Sequence, residues 1–181
     1  MDVYQTDIPY LDQDVLACWD LLGGGCAYGD LPHQEQMKLK MIDDLVEQFL
    51  EADKYVYVIV TPLWNLSVPP RLKAYIDCVC IVGKTFRYTE QGPEGLLRGK
   101  QAIHIQARGG EYSQPPMLDY EFGDKYLKAI LGFMGIETLN SVIVEGMLQH
   151  PQETDEILEQ AKIAARKAAV SFAHVAPGLL T

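Results

Sequence analysis

The chain has 181 residues, of which 48% are hydrophobic and 22% charged, and its formal net charge is −10. This length and composition predict one soluble globular domain spanning residues 1–181. The acidic balance argues against a nucleic-acid partner, because phosphate binding needs clustered Lys and Arg. No run approaches the roughly 20 apolar residues of a membrane span, and no basic-then-apolar leader follows Met1. We therefore expect a cytoplasmic protein with no membrane partner.

The cysteines and histidines give no metal-binding pattern. Cys18, Cys26, Cys78 and Cys80 contain no Cys-x-x-Cys pair, and the four histidines contain no His-x-x-x-His. We predict no metal centre. The cysteines are interpreted as small buried hydrophobic residues in a reducing compartment.

The first fifty residues predict a short strand and two helices. Residues 2–6 suit a strand, and residues 12–22 suit a helix that a triple glycine ends. A second helix begins at about Leu31 and carries a continuous apolar stripe. The triple glycine lacks the spacing of a phosphate-binding loop, so we assign it no ligand.

The stretch from Tyr55 to Val79 organises the rest of the chain. Residues 55–60 are aromatic or β-branched, which predicts a strand buried on both faces of a parallel sheet. Residues 63–67 form an exposed loop, and the helix after it opens with two prolines. Ligands of open α/β sheets bind at such loops. Trp64 beside Asn65 would suit a planar heteroaromatic ligand, or Trp64 would only cover the sheet edge.

The middle of the chain predicts two further loops around a strand. Residues 84–100 read as a long irregular segment, which indicates a functional loop, an interface or a surface turn. Residues 101–106 form a strand that ends in Ala-Arg-Gly-Gly. Two adjacent glycines at a strand's carboxyl end allow close approach of a ligand, although they would also suit a plain turn.

The last third continues the alternation of strands and helices. An irregular loop at 112–122 precedes a helix around 126–134, a strand at 139–145 and a final helix at about 151–175. Strands alternating with helices predict an α/β fold with a parallel sheet and right-handed crossovers.

These segments together resemble a known family. TPLWNLSVPPRLKAYID, VGKTFRYTEQGPEGLLRGK, HIQARGGEYS, LGFMGI and VEG are similar to segments of the FMN-dependent NADH-azoreductases, in the wider family of NAD(P)H:quinone oxidoreductases. The resemblance runs from about residue 2 to residue 172. It implies a flavodoxin-like three-layer parallel sheet and a homodimer with FMN at the subunit interface. It also implies ping-pong transfer of hydride from NADH or NADPH to quinones and azo compounds.

The resemblance also implies site residues. The segment along the isoalloxazine ring would be Leu63, Trp64, Asn65 and Leu66, and the segment at the pyrimidine end would be Ala107, Arg108, Gly109 and Gly110. The substrate slot across the dimer interface would be shaped by Phe86, Tyr88 and Phe122, with Tyr112 as a weaker candidate. Backbone amides would do most of the positioning, and no catalytic side chain is assigned.

This sequence departs from the family at its start. A flavodoxin-like sheet has strand order 2-1-3-4-5, and its first βα turn holds the FMN phosphate. The chain begins at what resembles the second strand, so the first strand, the Ser-rich phosphate loop and the first helix are expected to be absent. The missing strand would lie between the second strand and strand 55–60, so its absence would leave unpaired edges in the middle of the sheet. Either the given sequence starts late, or the chain repairs this gap by strand swapping or repacking.

Two other functional classes stay open on sequence grounds. A flavodoxin-type electron carrier suits the acidic charge and would form a stable semiquinone. A non-catalytic, flavin-less dimeric protein would use Trp64 and Tyr88 only as interface residues. Its thermal stability would not respond to FMN, whereas ligand binding stabilises a native state.

Overall fold

The computed structural model describes residues 1–51, 56–138 and 140–175. The helices are α1 (Gln13–Gly23), α2 (His33–Glu51), α3 (Pro70–Val79), α4 (Gly123–Phe133) and α5 (Thr154–Val175). The strands are β1 (Val56–Pro62), β2 (Phe86–Thr89), β3 (Gly92–Gly95), β4 (Gln101–Ala107), β5 (Glu137–Thr138) and β6 (Val142–Val144). Short 3-10 turns lie at Tyr28–Asp30, Met117–Tyr120 and Pro151–Glu153.

A parallel sheet forms the centre of the molecule. β1 pairs with β4 in parallel along its whole length, from Val56 opposite Gln101 to Pro62 opposite Ala107. The other side of β4 pairs in parallel with β5 and then with β6. The predicted α/β architecture with a parallel sheet is confirmed.

The helices pack through the apolar stripes that the sequence shows. α2 buries five residues that lie along one helical stripe, namely Leu39, Ile42, Leu45, Val46 and Phe49. α3 begins at Pro70, where the missing N–H of proline leaves no unsatisfied donor, and it buries Leu72, Ile76 and Val79. These side chains belong to one hydrophobic core.

The predicted strand at 2–6 is wrong, because these residues form a turn. The Gln5 amide donates to the Asp2 carbonyl at 3.1 Å, and the Thr6 hydroxyl donates to the same carbonyl at 2.7 Å. Arg71 of α3 donates to the backbone carbonyls of Val3, Thr6 and Ile8. A strand needs a neighbour for its backbone groups. Here one guanidinium takes the carbonyls instead.

The expectation that β1 is buried on both faces is also wrong. Val58 is 59% exposed and Val60 is 70% exposed. Within the described residues β1 pairs only with β4, so its other edge has no neighbour there. A cavity of about 640 Å³ lies along β1 and is lined by residues that include Tyr57, Ile59 and Leu72. Tyr55, the predicted first residue of the strand, lies outside the described residues.

The prediction that residues 84–100 are irregular is wrong. They contain an antiparallel hairpin. β2 and β3 pair from Phe86 opposite Gly95 to Thr89 opposite Gly92. Gly95 lies so close to α4's end that an added Cβ would approach the Gly135 amide nitrogen to 2.2 Å. The pattern was missed because β3 has the sequence Gly-Pro-Glu-Gly, which is atypical of strands.

The C-terminal elements follow the prediction with shifted ends. β6 covers three residues of the predicted strand 139–145, and Leu139 lies outside the described residues. The last helix is preceded by the 3-10 turn at its predicted start. None of the helices in the described ranges is long and apolar enough to cross a membrane.

Candidate functional site

The two loops that the sequence singled out lie side by side. Pro62 is the register partner of Ala107, and the Leu63 amide donates to the Ala107 carbonyl at 2.8 Å. Both loops therefore leave the same edge of the sheet, at the carboxyl ends of adjacent parallel strands. This is the position where open α/β sheets bind ligands.

The loop after β1 is a tight turn with left-handed residues at its centre. Trp64 and Ser67 exchange backbone hydrogen bonds of 2.8 and 3.0 Å. Between them, Asn65 has φ 46° and Leu66 has φ 68°. This is the pattern of a type I′ turn, and a left-handed residue other than glycine costs roughly 1–2 kcal/mol. The Phe122 amide donates to the Leu66 carbonyl at 2.9 Å and supports the turn.

The loop tips offer free donors and an exposed indole. Trp64 is 55% exposed. Within the described part of the chain, the amides of Asn65, Leu66, Gly109 and Gly110 donate to no acceptor. Free amides beside an exposed aromatic face suit a planar ligand whose edge carries hydrogen-bond acceptors.

A third segment, which sequence analysis did not single out, closes the site beside Gly109. The Leu148 amide donates to the Gly109 carbonyl at 3.0 Å, and the Glu111 amide donates to Gln149 Oε1 at 2.9 Å. The Leu148 side chain is 83% exposed, yet it covers Gly109, where an added Cβ would lie 2.4 Å from Leu148 Cδ1. No local pattern marks this loop between β6 and α5, because its contacts come from residues 38 positions away.

Arg108 points into the interior. Its Nε donates to Gln106 Oε1 at 2.5 Å, and its terminal nitrogens lie 3.2 Å from Glu145 Oε2 and 3.5 Å from Glu121 Oε1. Arg108 is only 4% exposed. A ligand beside the Ala-Arg-Gly-Gly segment would therefore meet the Arg108 backbone and not its guanidinium.

A second buried polar group lies under the loop after β1. Thr61 Oγ1 is 2.8 Å from His104 Nε2, and His104 Nδ1 is 2.9 Å from Asp124 Oδ1. Asp124 also accepts from Ser141 Oγ at 2.5 Å and pairs with Lys128 Nζ at 2.7 Å. An ionised carboxylate only accepts, so His104 donates to Asp124 from Nδ1. Burial alone raises the pKa of Asp124, but the hydrogen bonds from His104, Lys128 and Ser141 outweigh it and hold that pKa below its ordinary value.

The two polar groups are connected through the start of α4. The Asp124 amide donates to Glu121 Oε1 at 2.8 Å, and Glu121 faces Arg108. One network thus runs beneath both loops. His104 and Asp124 were not predicted to be partners, because they lie 20 residues apart in the sequence. The available signal was a histidine between two isoleucines in a strand.

The aromatic residues predicted for the substrate slot are placed differently from one another. Phe122 is 51% exposed and lies next to Leu66 at the start of α4. Phe86 is 8% exposed and packs on Phe133 at the other end of α4, with ring centroids 4.6 Å apart. Tyr88 is 71% exposed on the hairpin. Phe86 is therefore a packing residue in this chain, and the structure does not bring it together with Phe122.

Comparison with known proteins agrees with this geometry. A family model described as a flavodoxin-like fold matches residues 1–169. The chain is 45% identical over 172 residues to an FMN-dependent NADH:quinone oxidoreductase of Staphylococcus aureus strain JH9. The aligned region covers 95% of this chain and 80% of that protein.

Solved structures give the same result. The azoreductase of Bacillus anthracis strain Sterne matches with a TM-score of 0.82 at 36% identity, over 93% of this chain and 79% of that one. An FMN-dependent NADH-azoreductase of B. anthracis strain Ames Ancestor, solved in complex with FMN, matches with the same TM-score at 34% identity and the same coverage. The fold and the loop edge define a flavodoxin-like α/β protein. The chain belongs to the flavodoxin-like family that includes the FMN-dependent NADH:quinone oxidoreductases and NADH-azoreductases.

Proposed function

We propose that this protein is an FMN-dependent oxidoreductase that passes electrons from NADH or NADPH to quinones and azo compounds. The observation that carries the proposal is the adjacency of the two loops, with free amides and an exposed Trp64, in a chain 45% identical to such an enzyme. When bound, FMN supplies the hydride chemistry, and the protein's part is to bind and orient.

The residues present fit the ring of a flavin. The Leu63–Leu66 segment would lie along the isoalloxazine ring, with the Asn65 side chain as a hydrogen-bonding partner. The backbone of Ala107, Arg108, Gly109 and Gly110 would border the pyrimidine end. Amides that donate to nothing within the described residues match the acceptor-rich edge of such a ring.

The substrate side of the site would be aromatic. Trp64 and Phe122 are exposed at the loop edge and would stack against a flat acceptor. The nicotinamide donor and the acceptor would use the same ring face in turn, which is ping-pong kinetics.

We also propose a homodimer in the cytoplasm. Tyr88 is exposed on a hairpin at the far end of α4 from Phe122, so a second copy would bring it toward a site. Cytoplasmic location is supported by the four cysteines, which are all free thiols. Sedimentation velocity on the purified protein tests the dimer.

The decisive experiment has a binding arm and an activity arm. FMN and riboflavin, which share the ring but not the phosphate, are titrated into the protein and followed by flavin fluorescence. NADH-dependent reduction of menadione and bleaching of an azo dye are then measured at several fixed acceptor concentrations. We expect binding, turnover and parallel double-reciprocal lines. Failure to bind either flavin, together with absent menadione reduction, would contradict the proposal.

A further inference from the structure

The polar side chains around Arg108 form a compact buried group, which we call the Arg108 cluster: Gln106, Arg108, Glu121 and Glu145. The side chains of Arg108 and Glu121 are 3% and 4% exposed, and that of Glu145 is 20% exposed. The guanidinium faces both carboxylates, at 3.5 Å from Glu121 and 3.2 Å from Glu145.

The cluster is not balanced in charge. One buried guanidinium faces two carboxylates, of which Glu121 is buried and Glu145 is partly exposed, so the cluster has one more acidic than basic side chain. The neighbouring Asp124 differs, because Lys128 pairs with its carboxylate at 2.7 Å. A charge in the protein interior acts more strongly on its surroundings than the same charge in water, since the effective dielectric constant is lower.

The excess charge lies under the loop that follows β4. Glu145 Oε2 accepts from the Tyr112 amide at 2.9 Å, and Arg108 belongs to the Ala-Arg-Gly-Gly segment itself. This segment is the part of the chain that, in the proposed function, borders the pyrimidine end of the flavin ring.

We propose that the Arg108 cluster lowers the midpoint potential of the bound flavin, with Glu145 as the residue that supplies the excess charge. The inference rests on the proposed function. Two-electron reduction places negative charge at the pyrimidine end of the ring, and a carboxylate that is largely shielded from water nearby opposes that change. Oxidised flavin is then bound in preference to reduced flavin, which favours passing electrons on to the acceptor.

Glu145→Gln is the direct test, because glutamine keeps a carbonyl oxygen for the Tyr112 amide and for Arg108. Arg108 then retains Glu121 as its counter-charge. The midpoint potential of bound FMN is measured by equilibration with a reference dye, and the dissociation constants of oxidised and reduced FMN are measured separately. We expect the variant to bind reduced FMN about tenfold more tightly relative to oxidised FMN, which corresponds to a rise of about 30 mV.

A matched control is available on the same loop. Glu111 is paired with His150 at 3.4 Å, and its side chain is 57% exposed. Glu111→Gln removes the same charge from a solvated position. We expect this variant to shift the midpoint potential of bound FMN by less than a third of the shift in Glu145→Gln. Glu121→Gln is the second variant, which should raise the potential as Glu145→Gln does.

The outcomes separate the two proposals. A parent protein that binds no FMN overturns the proposed function and this inference with it. FMN binding with an unchanged potential in both Glu145→Gln and Glu121→Gln overturns this inference alone. Equal shifts in Glu145→Gln and Glu111→Gln also overturn it, because they would show a general effect of surface charge. Circular dichroism of each variant confirms that the fold is intact, and if Glu145→Gln does not fold, Glu121→Gln decides.

Discussion

The carboxyl edge of the sheet and the open side of β1 are built in opposite ways. At the carboxyl edge, buried polar side chains hold two loops through hydrogen bonds from β4, α4 and the segment before α5. On the open side, Val58 and Val60 face solvent and β1 has no second neighbour within the described residues. The hydrogen bonds that hold the two loops therefore do not depend on a neighbour at the open side of β1. They come from the other half of the sheet.

Asp124→Asn should have the largest effect. The change weakens three charge-assisted hydrogen bonds, from His104, Ser141 and Lys128. Such bonds contribute about 1.5–3 kcal/mol each, so we expect the free energy of unfolding to fall by about 3–5 kcal/mol at pH 7. The native pKa of Asp124 lies below its unfolded value, so its contribution is present above about pH 4 and is lost as the pH falls further. Urea denaturation should therefore show the two proteins converging as the pH is lowered from 5.

Asp43→Asn is the control for this prediction. Asp43 pairs with Lys84 at 2.8 Å, but its side chain is 54% exposed. An exposed pair contributes about 0.2–1 kcal/mol, so this variant should unfold almost as the parent does. Equal losses in both variants would show that Asp124 is not a special support of the loop edge.

The variants Ile103→Ala and Val58→Ala compare a buried and an exposed position on the same face of the sheet. The two residues are register neighbours on β4 and β1, but Ile103 is 4% exposed and Val58 is 59% exposed. We expect Ile103→Ala to cost about 2–5 kcal/mol and Val58→Ala less than about 1 kcal/mol, measured by chemical denaturation. A cost at Val58 as large as that at Ile103 would mean that the open side is covered in solution.

Asn65→Ala and Asn65→Gly separate backbone strain from ligand contact. Asn65 has φ 46°, which alanine adopts at a cost of about 1 kcal/mol and glycine adopts freely. We expect only the alanine variant to lose stability in thermal unfolding. Both variants lack the side-chain amide, so both should bind FMN more weakly, by about 1 kcal/mol of lost hydrogen bonding. Normal FMN affinity in both would remove Asn65 from the ring contacts.

Gly109→Ala should change stability least. The three atoms nearest to the new methyl all belong to the Leu148 side chain, which is 83% exposed, so we expect that side chain to rotate away and the loss to stay below about 0.5 kcal/mol. FMN affinity should nevertheless fall, because the methyl group occupies the surface that would border the ring. A stability loss of several kcal/mol would show instead that Leu148 is locked in place.

Local pattern was sufficient for most of the helices and for both long strands. The apolar stripe of α2, the prolines before α3 and the β-branched run of β1 each act through neighbours along the chain, which is why they were predictable. Residues 2–6 were not predictable in the same way, because a strand requires a pairing partner. In the structure Arg71 takes their carbonyls instead.

In the candidate site, too, the features set by local sequence were predictable and those set by distant contacts were not. The two loops were identified from sequence, since each directly follows a β-branched or apolar strand and carries turn residues. The inward direction of Arg108 and the partnership of His104 with Asp124 were not identified. The contacts of His104 with Asp124 and of Arg108 with Glu145 join residues 20 and 37 positions apart, and nothing in the local sequence records such a contact.

The sequence by itself determined the α/β order of elements, the placement of each loop after a strand and the family resemblance, because short-range periodicity and motif spacing are properties of the chain. Only the tertiary structure decided which charged side chains turn inward and what they meet. Burial sets that outcome, since a charge removed from water must find partners wherever the fold brings them.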